Sequence, residues 1–90
     1  MPKHYAIKVW GQVQGVNFRT NAKQAADVLG LSGWVKNEPD GSVSIEAEGD
    51  EKSLDSFVAW CKQGSAEASV AKVDVSENTP KNFAEFMIIG

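Results

Sequence analysis

Tyr5, Ile7, Val9 and Val13 share one parity along the chain and Lys8 takes the other, which is the two-residue period of a half-buried strand. That strand runs into a glycine-punctuated turn, Gly11 to Gly15. Past Phe18 the spacing changes. Ala22, Ala25, Ala26 and Leu29 form a helical stripe, and Gly30 stands where a left-handed cap would end the helix. Leu31 to Asn37 and Ser42 to Glu48 read as two strands joined through Pro39-Asp40-Gly41. In the second, Val43, Ile45 and Ala47 alternate with Ser44, Glu46 and Glu48, so the hairpin should have one polar face.

Asp50 is a suitable N-cap ahead of Leu54, Phe57, Val58 and Cys61, spaced for one helical face, and Gly64 should close that helix. Ala68 to Glu77, with Val70, Val73 and Val75, reads as a fourth strand. A loop around Pro80 then leads to Phe83, Phe86, Ile88 and Ile89, a closing strand. The order β-α-β-β-α-β, with a short terminal strand, predicts an α+β fold of the ferredoxin-like, split βαβ kind. An antiparallel sheet should carry both helices on one face.

Composition narrows the class. The chain of 90 residues, 42% hydrophobic, fits a single domain over residues 1–90 with one core. One cysteine, Cys61, forbids an internal disulfide, and with one histidine no cysteine- or histidine-based metal site can be assembled. Metal chemistry would need carboxylates alone. The net charge of -3 has the wrong sign for binding nucleic acid through the overall field. No run approaches the ~18 apolar residues of a membrane span and the start has no apolar secretory core, so a soluble, cytoplasmic monomer is expected.

The segment with most chemical content is Gly11-Gln12-Val13-Gln14-Gly15-Val16-Asn17-Phe18-Arg19, between a strand end and the first turn of a helix. Free backbone N–H groups and the positive end of the helix dipole converge there, which suits phosphate. Arg19 adds a forked cation able to bind two phosphate oxygens in one plane. The spacing fits neither the nucleotide P-loop nor the dinucleotide fingerprint. By itself this pattern leaves two readings open, an ordinary strand-to-helix connection with a surface arginine or an anion site.

Other residues have plainer readings. His4, at the start of the first strand, is expected to be solvated or at an edge. Cys61 should be an inert core thiol. Trp10, Trp34 and Trp60 read as packing residues, with Trp34 the one nearest any site. Glu46, Glu48, Asp50 and Glu51 read as a solvated strand end and helix cap.

A second segment, Gly33-Trp34-Val35-Lys36-Asn37 followed by Asp40-Gly41-Ser42-Val43 and closed by Gly49, completes a pair. Together the two segments resemble the signatures of the acylphosphatase family, the first reading Gly-x-Val-Gln-Gly-Val-x-Phe-Arg and the second Gly-Trp-Val-x-Asn-x-x-x-Gly-x-Val. The resemblance extends to the element order over essentially the whole chain. It implies a hydrolase acting on acid anhydrides, one that cleaves a small-molecule acyl phosphate to a carboxylate and inorganic phosphate without metal or cofactor. It also implies that Arg19 and loop amides, here Gln14, Gly15, Val16, Asn17 and Phe18, hold the phosphoryl group, and that Asn37 positions the attacking water. Two positions depart from the pattern. Asn17 stands where related sequences vary, and Gln63-Gly64-Ser65 lacks a frequent Gly-Pro step, which bears on the loop there rather than on the chemistry.

The implied reaction explains a sparse site. The leaving carboxylate has a conjugate acid with a pKa near ~4.3, so it departs without a proton donor. Phosphoryl transfer then asks for positioning and for charge on the equatorial oxygens to be stabilised. Asn37 cannot ionise, so a substrate phosphate oxygen, with a second pKa of ~6, is the inferred proton acceptor. Two other classes are compatible with this topology. A non-catalytic domain could hold carbamoyl phosphate or a similar anion for a partner enzyme. An RNA-binding domain shares the topology, but it would need aromatic residues on the third strand, and Ser42 to Glu48 has none.

Overall fold

The computed structural model describes residues 2–90 and has seven elements: β1 (Lys3–Gln12), α1 (Phe18–Val28), β2 (Ser32–Asn37), β3 (Val43–Gly49), α2 (Glu51–Gln63), β4 (Ser69–Asn78) and β5 (Phe86–Ile88). They form one sheet in the order β4-β1-β3-β2-β5. β1 lies antiparallel between β3 and β4, and β2 is antiparallel to β3. The sheet is mixed rather than purely antiparallel, because β5 pairs parallel to β2 with Phe86 opposite Gly33 and Ile88 opposite Val35. The reason is topological: the chain leaves β4 at one edge and must cross the whole sheet to reach the other, so it enters β5 in the direction of β2.

The alternation expected from the sequence sets the two faces. Ile7, Val9, Val35, Val43, Ile45 and Ala47 are buried on the face under the helices, against Phe18, Ala22 and Ala26 of α1 and Leu54, Phe57 and Cys61 of α2. Trp60 bridges the aromatic part of this layer, its ring 5.1 Å from Phe18 and 6.0 Å from Phe57. Cys61 is buried there as expected, and burial pushes its thiol up to about 12, so it is inert at neutral pH. Asp50 caps α2 by accepting from the Lys52 and Ser53 N–H groups, and Gly64 closes that helix with a φ of 78°.

The opposite face corrects the readings of His4 and Glu48. Both are buried, at 0% and 5% exposure, although neither lies under a helix. The segment from Thr79 to Glu85, on its way across the sheet, runs over that end of the open face. His4 Nδ1 lies 2.7 Å from Glu48 Oε2 and Nε2 lies 2.9 Å from Glu46 Oε1, with the Phe83 ring 5.8 Å away. Glu48 also accepts from the N–H groups of Lys81 and Phe83, and Lys81 Nζ pairs with Glu46 at 3.0 Å. Burial raises the Glu48 carboxyl pKa, yet the Lys81 N–H, His4 and the Phe83 N–H outweigh it and hold the group below its ordinary value.

Gly33 shows why one position in the second signature must lack a side chain. Its φ is +143°, and a Cβ there would lie 1.8 Å from the Glu46 carbonyl oxygen on β3. The two backbones approach too closely for any other residue.

Candidate active site

Two elements deliver the site. The loop between β1 and α1 is anchored at both ends by buried residues, Val13 and Phe18. Between them Gly15 has a φ of 73° and Asn17 a φ of 60°, left-handed values that glycine adopts freely and asparagine tolerates. Such alternation turns successive peptide N–H groups toward one side. The Val16 and Asn17 carbonyls, meanwhile, are satisfied on the protein side. Ser65 Oγ donates to the Val16 oxygen at 2.8 Å, and Asn21 donates to the Asn17 oxygen through its N–H at 3.1 Å and its Nδ2 at 2.9 Å.

The two helix starts differ. Where α2 is capped by Asp50 and carries Glu51 in its first turn, α1 has no side-chain cap and no acidic residue in its first turn. Among the described residues no side chain caps its positive end, the state in which a helix terminus can serve phosphate.

The second element is the end of β2. Arg19, in the first turn of α1, and Asn37, the last residue of β2, converge on one oxygen atom. Arg19 Nη1 donates to the Gly90 main-chain oxygen at 2.7 Å, and the Asn37 backbone N–H donates to the same atom at 2.9 Å. The parallel ladder of β5 along β2 brings Gly90 there. The Asn37 side-chain oxygen is buried and, among the described residues, has no hydrogen-bond partner. An unpartnered acceptor costs free energy unless something fills it, and a water O–H is the simplest occupant.

The residues singled out from the sequence distribute as follows. Gly15 and Asn17 are exposed at the loop surface, Val16 packs partly on the core, and Phe18 is fully buried, so only its backbone can face a ligand. Gln14 has its side chain turned away from the loop mouth, toward the turn after Asn37. Trp34 is not part of the site. It pairs with Glu46 on the open face, with Lys36 Nζ 5.6 Å above its ring, whereas Asn37 lies on the helix side. Two concavities lie elsewhere, one of about 390 Å³ on the open face beside Ala6 and Trp34 and one of about 550 Å³ between the helices beside Ala25 and Trp60. The loop and Arg19 form an exposed cradle suited to a small anion.

Sequence reasoning missed Ser65, Asn21 and Gly90. No signal in the pattern marks the first two, since serine and asparagine in such places are ordinary loop and helix residues. Gly90 comes to the site only through the parallel pairing of β5.

A mixed five-stranded sheet with two helices packed on one face defines a ferredoxin-like α+β protein. Comparison with known proteins makes this specific. The acylphosphatase family model matches residues 5–88. A protein from Methylococcus capsulatus called acylphosphatase is 44% identical over 88 residues, 97% of this chain and 96% of that one. The crystal structure of acylphosphatase from Bacillus subtilis superposes with a TM-score of 0.96 at 43% identity, covering 100% of both chains. An acylphosphatase from Coxiella burnetii gives 0.95 at 32% identity, over 98% of this chain and 93% of that one. The chain belongs to the acylphosphatase family, hydrolases that act on acyl phosphates.

Proposed function

We propose that this protein hydrolyses small acyl phosphates, with the phosphoryl group held by the backbone N–H groups of Gln14 to Phe18 and by the Arg19 guanidinium, and with Asn37 orienting the attacking water. The observation that carries the reading is the convergence of Arg19 and Asn37 on one oxygen beside an uncapped helix start. An oxygen in that position meets one backbone N–H and a guanidinium, the kind of donors that an equatorial oxygen of a bound phosphoryl group would take.

Water donates one hydrogen to Asn37 Oδ1, which is buried and otherwise unpartnered, and this leaves an oxygen lone pair free to point at phosphorus. The O–P bond forms as the bond from phosphorus to the acyl oxygen breaks, and the pair leaves with the carboxylate. The water proton passes to a phosphate oxygen, because asparagine cannot hold it. Arg19 and the loop amides stabilise the charge on the equatorial oxygens throughout. The carboxylate is a good leaving group at neutral pH, so neither a general acid nor a Lewis acid is required by the chemistry.

The test is release of inorganic phosphate from an aryl acyl phosphate by purified protein, compared with Asn37→Ala and Arg19→Gln. Turnover should collapse in both variants, while phosphate binding should survive only in Asn37→Ala. Full turnover in either variant would overturn the assignment. Phosphate binding by the wild type with no turnover at all would instead favour a domain that holds the anion for another enzyme.

A further inference from the structure

The side chain of Gln14 points from the loop toward the turn that follows β2. Its Nε2 donates to the Glu38 carbonyl at 2.8 Å and to the Ser42 carbonyl at 2.9 Å. Both N–H groups of the carboxamide are spent on the two ends of the turn between β2 and β3, which begins one residue after Asn37.

That turn is already rigid by itself. The Glu38 N–H donates to the Ser42 carbonyl at 2.9 Å and the Gly41 N–H to the Glu38 carbonyl at 3.1 Å. Asp40 Oδ1 accepts from the Ser42 hydroxyl at 2.6 Å and the Ser42 N–H at 3.0 Å, and Ser42 is fully buried. The Ser42 hydroxyl and N–H, with Lys8 Nζ at 3.2 Å, hold the Asp40 carboxyl down to about 2. Ser44 Oγ adds a bond to Glu38 Oε2 at 2.7 Å. Each carbonyl that Gln14 touches therefore has a second partner inside the turn. Without Gln14 the turn would keep its shape and its place on the sheet, through the β1–β3 pairing and the Lys8–Asp40 contact, and would lose its direct tie to the loop.

Building on the function proposed above, we propose that Gln14 is a positioning residue. Its carboxamide locks the phosphate-binding loop to the Asn37 turn and so fixes the distance between the bound phosphoryl group and the water on Asn37. It acts through Asn37, whereas its own backbone N–H belongs to the loop and is retained in any substitution. In-line attack is sensitive to such a distance, and a displacement of ~1 Å can cost on the order of 100-fold in rate.

The experiment is a double-mutant cycle on acyl phosphate hydrolysis, with inorganic phosphate as a competitive probe of the loop. Gln14→Ala and Gln14→Met should both lose about 10- to 100-fold in kcat while the inhibition constant for phosphate stays unchanged. The methionine variant keeps the length of the side chain without its donors, so a defect common to both belongs to the hydrogen bonds and not to a void. In an Asn37→Ala background, Gln14→Met should cost nothing more. Losses that multiply in the double variant, or a phosphate affinity that falls in step with kcat, would overturn the positioning role. A wild type without turnover, or an Asn37→Ala variant with full turnover, would overturn the functional reading itself. That result is distinct from one in which Asn37 matters and Gln14 does not couple to it.

Discussion

Glu48→Gln is a nearly isosteric change with a large expected cost. Glu48 Oε1 accepts from the Phe83 N–H at 3.0 Å, and Oε2 accepts from the Lys81 N–H and lies 2.7 Å from His4 Nδ1. Glutamine offers one acceptor oxygen and one NH2. In its better orientation the oxygen stays with Lys81 and His4, and the NH2 then faces the Phe83 N–H, donor against donor. One buried backbone donor is left unmade, at about 1–3 kcal/mol, and hydrogen bonds to a charged acceptor are exchanged for weaker neutral ones, at about 1 kcal/mol. The sum, ~2–4 kcal/mol, is a large part of the ~5–13 kcal/mol expected for a domain of this size. Urea unfolding at neutral pH should show a lower midpoint with an unchanged slope.

The pH dependence gives a second readout. Since the folded carboxyl of Glu48 titrates below its ordinary value, its contribution is complete above the unfolded pKa of ~4.3 and is lost as pH falls through the lower folded value. Glutamine does not titrate, so the gap between wild type and variant should close in acid. An unchanged midpoint at neutral pH, or a gap that persists undiminished in acid, would refute this account of how the crossover is held on the sheet.

Arg19→Lys should lose nearly as much turnover as Arg19→Gln, because an ammonium cannot replace the planar fork; near-native kinetics for the lysine variant would reduce Arg19 to long-range attraction. Inorganic phosphate at ~100 times its dissociation constant should add about 2.7 kcal/mol to wild-type stability, read as a rise in melting temperature, and the rise should vanish in Arg19→Gln. Asn37→Asp should be no more active than Asn37→Ala and should bind phosphate more weakly, since it sets a negative charge beside an anion; recovery of activity would identify a general base there. Gly33→Ala forces a Cβ to within 1.8 Å of the Glu46 oxygen at a φ of +143°, so it should destabilise by about 3 kcal/mol or more in thermal melts.

What the sequence determined by itself was local. Periodicity placed the six main elements and the buried parity of β1 and β3, because which side of a strand or helix is apolar depends only on spacing. Capping chemistry placed the start of α2 at Asp50 and its end at Gly64, because those bonds lie within a few residues. The paired signatures singled out Arg19 and Asn37, and their adjacency was implied only by resemblance.

The tertiary structure decided everything that depends on what covers or crosses an element. His4 and Glu48 sit on the polar parity, so their pattern reads as solvated; the segment from Thr79 to Glu85 buries them because it must cross the sheet. The same crossing makes β5 parallel and carries Gly90 to Arg19. Ser65 under the phosphate loop and Gln14 across to the turn are likewise contacts between segments far apart in the chain. Periodicity specifies the faces that need partners, but which partners meet is fixed only when the whole sheet and its connections are packed.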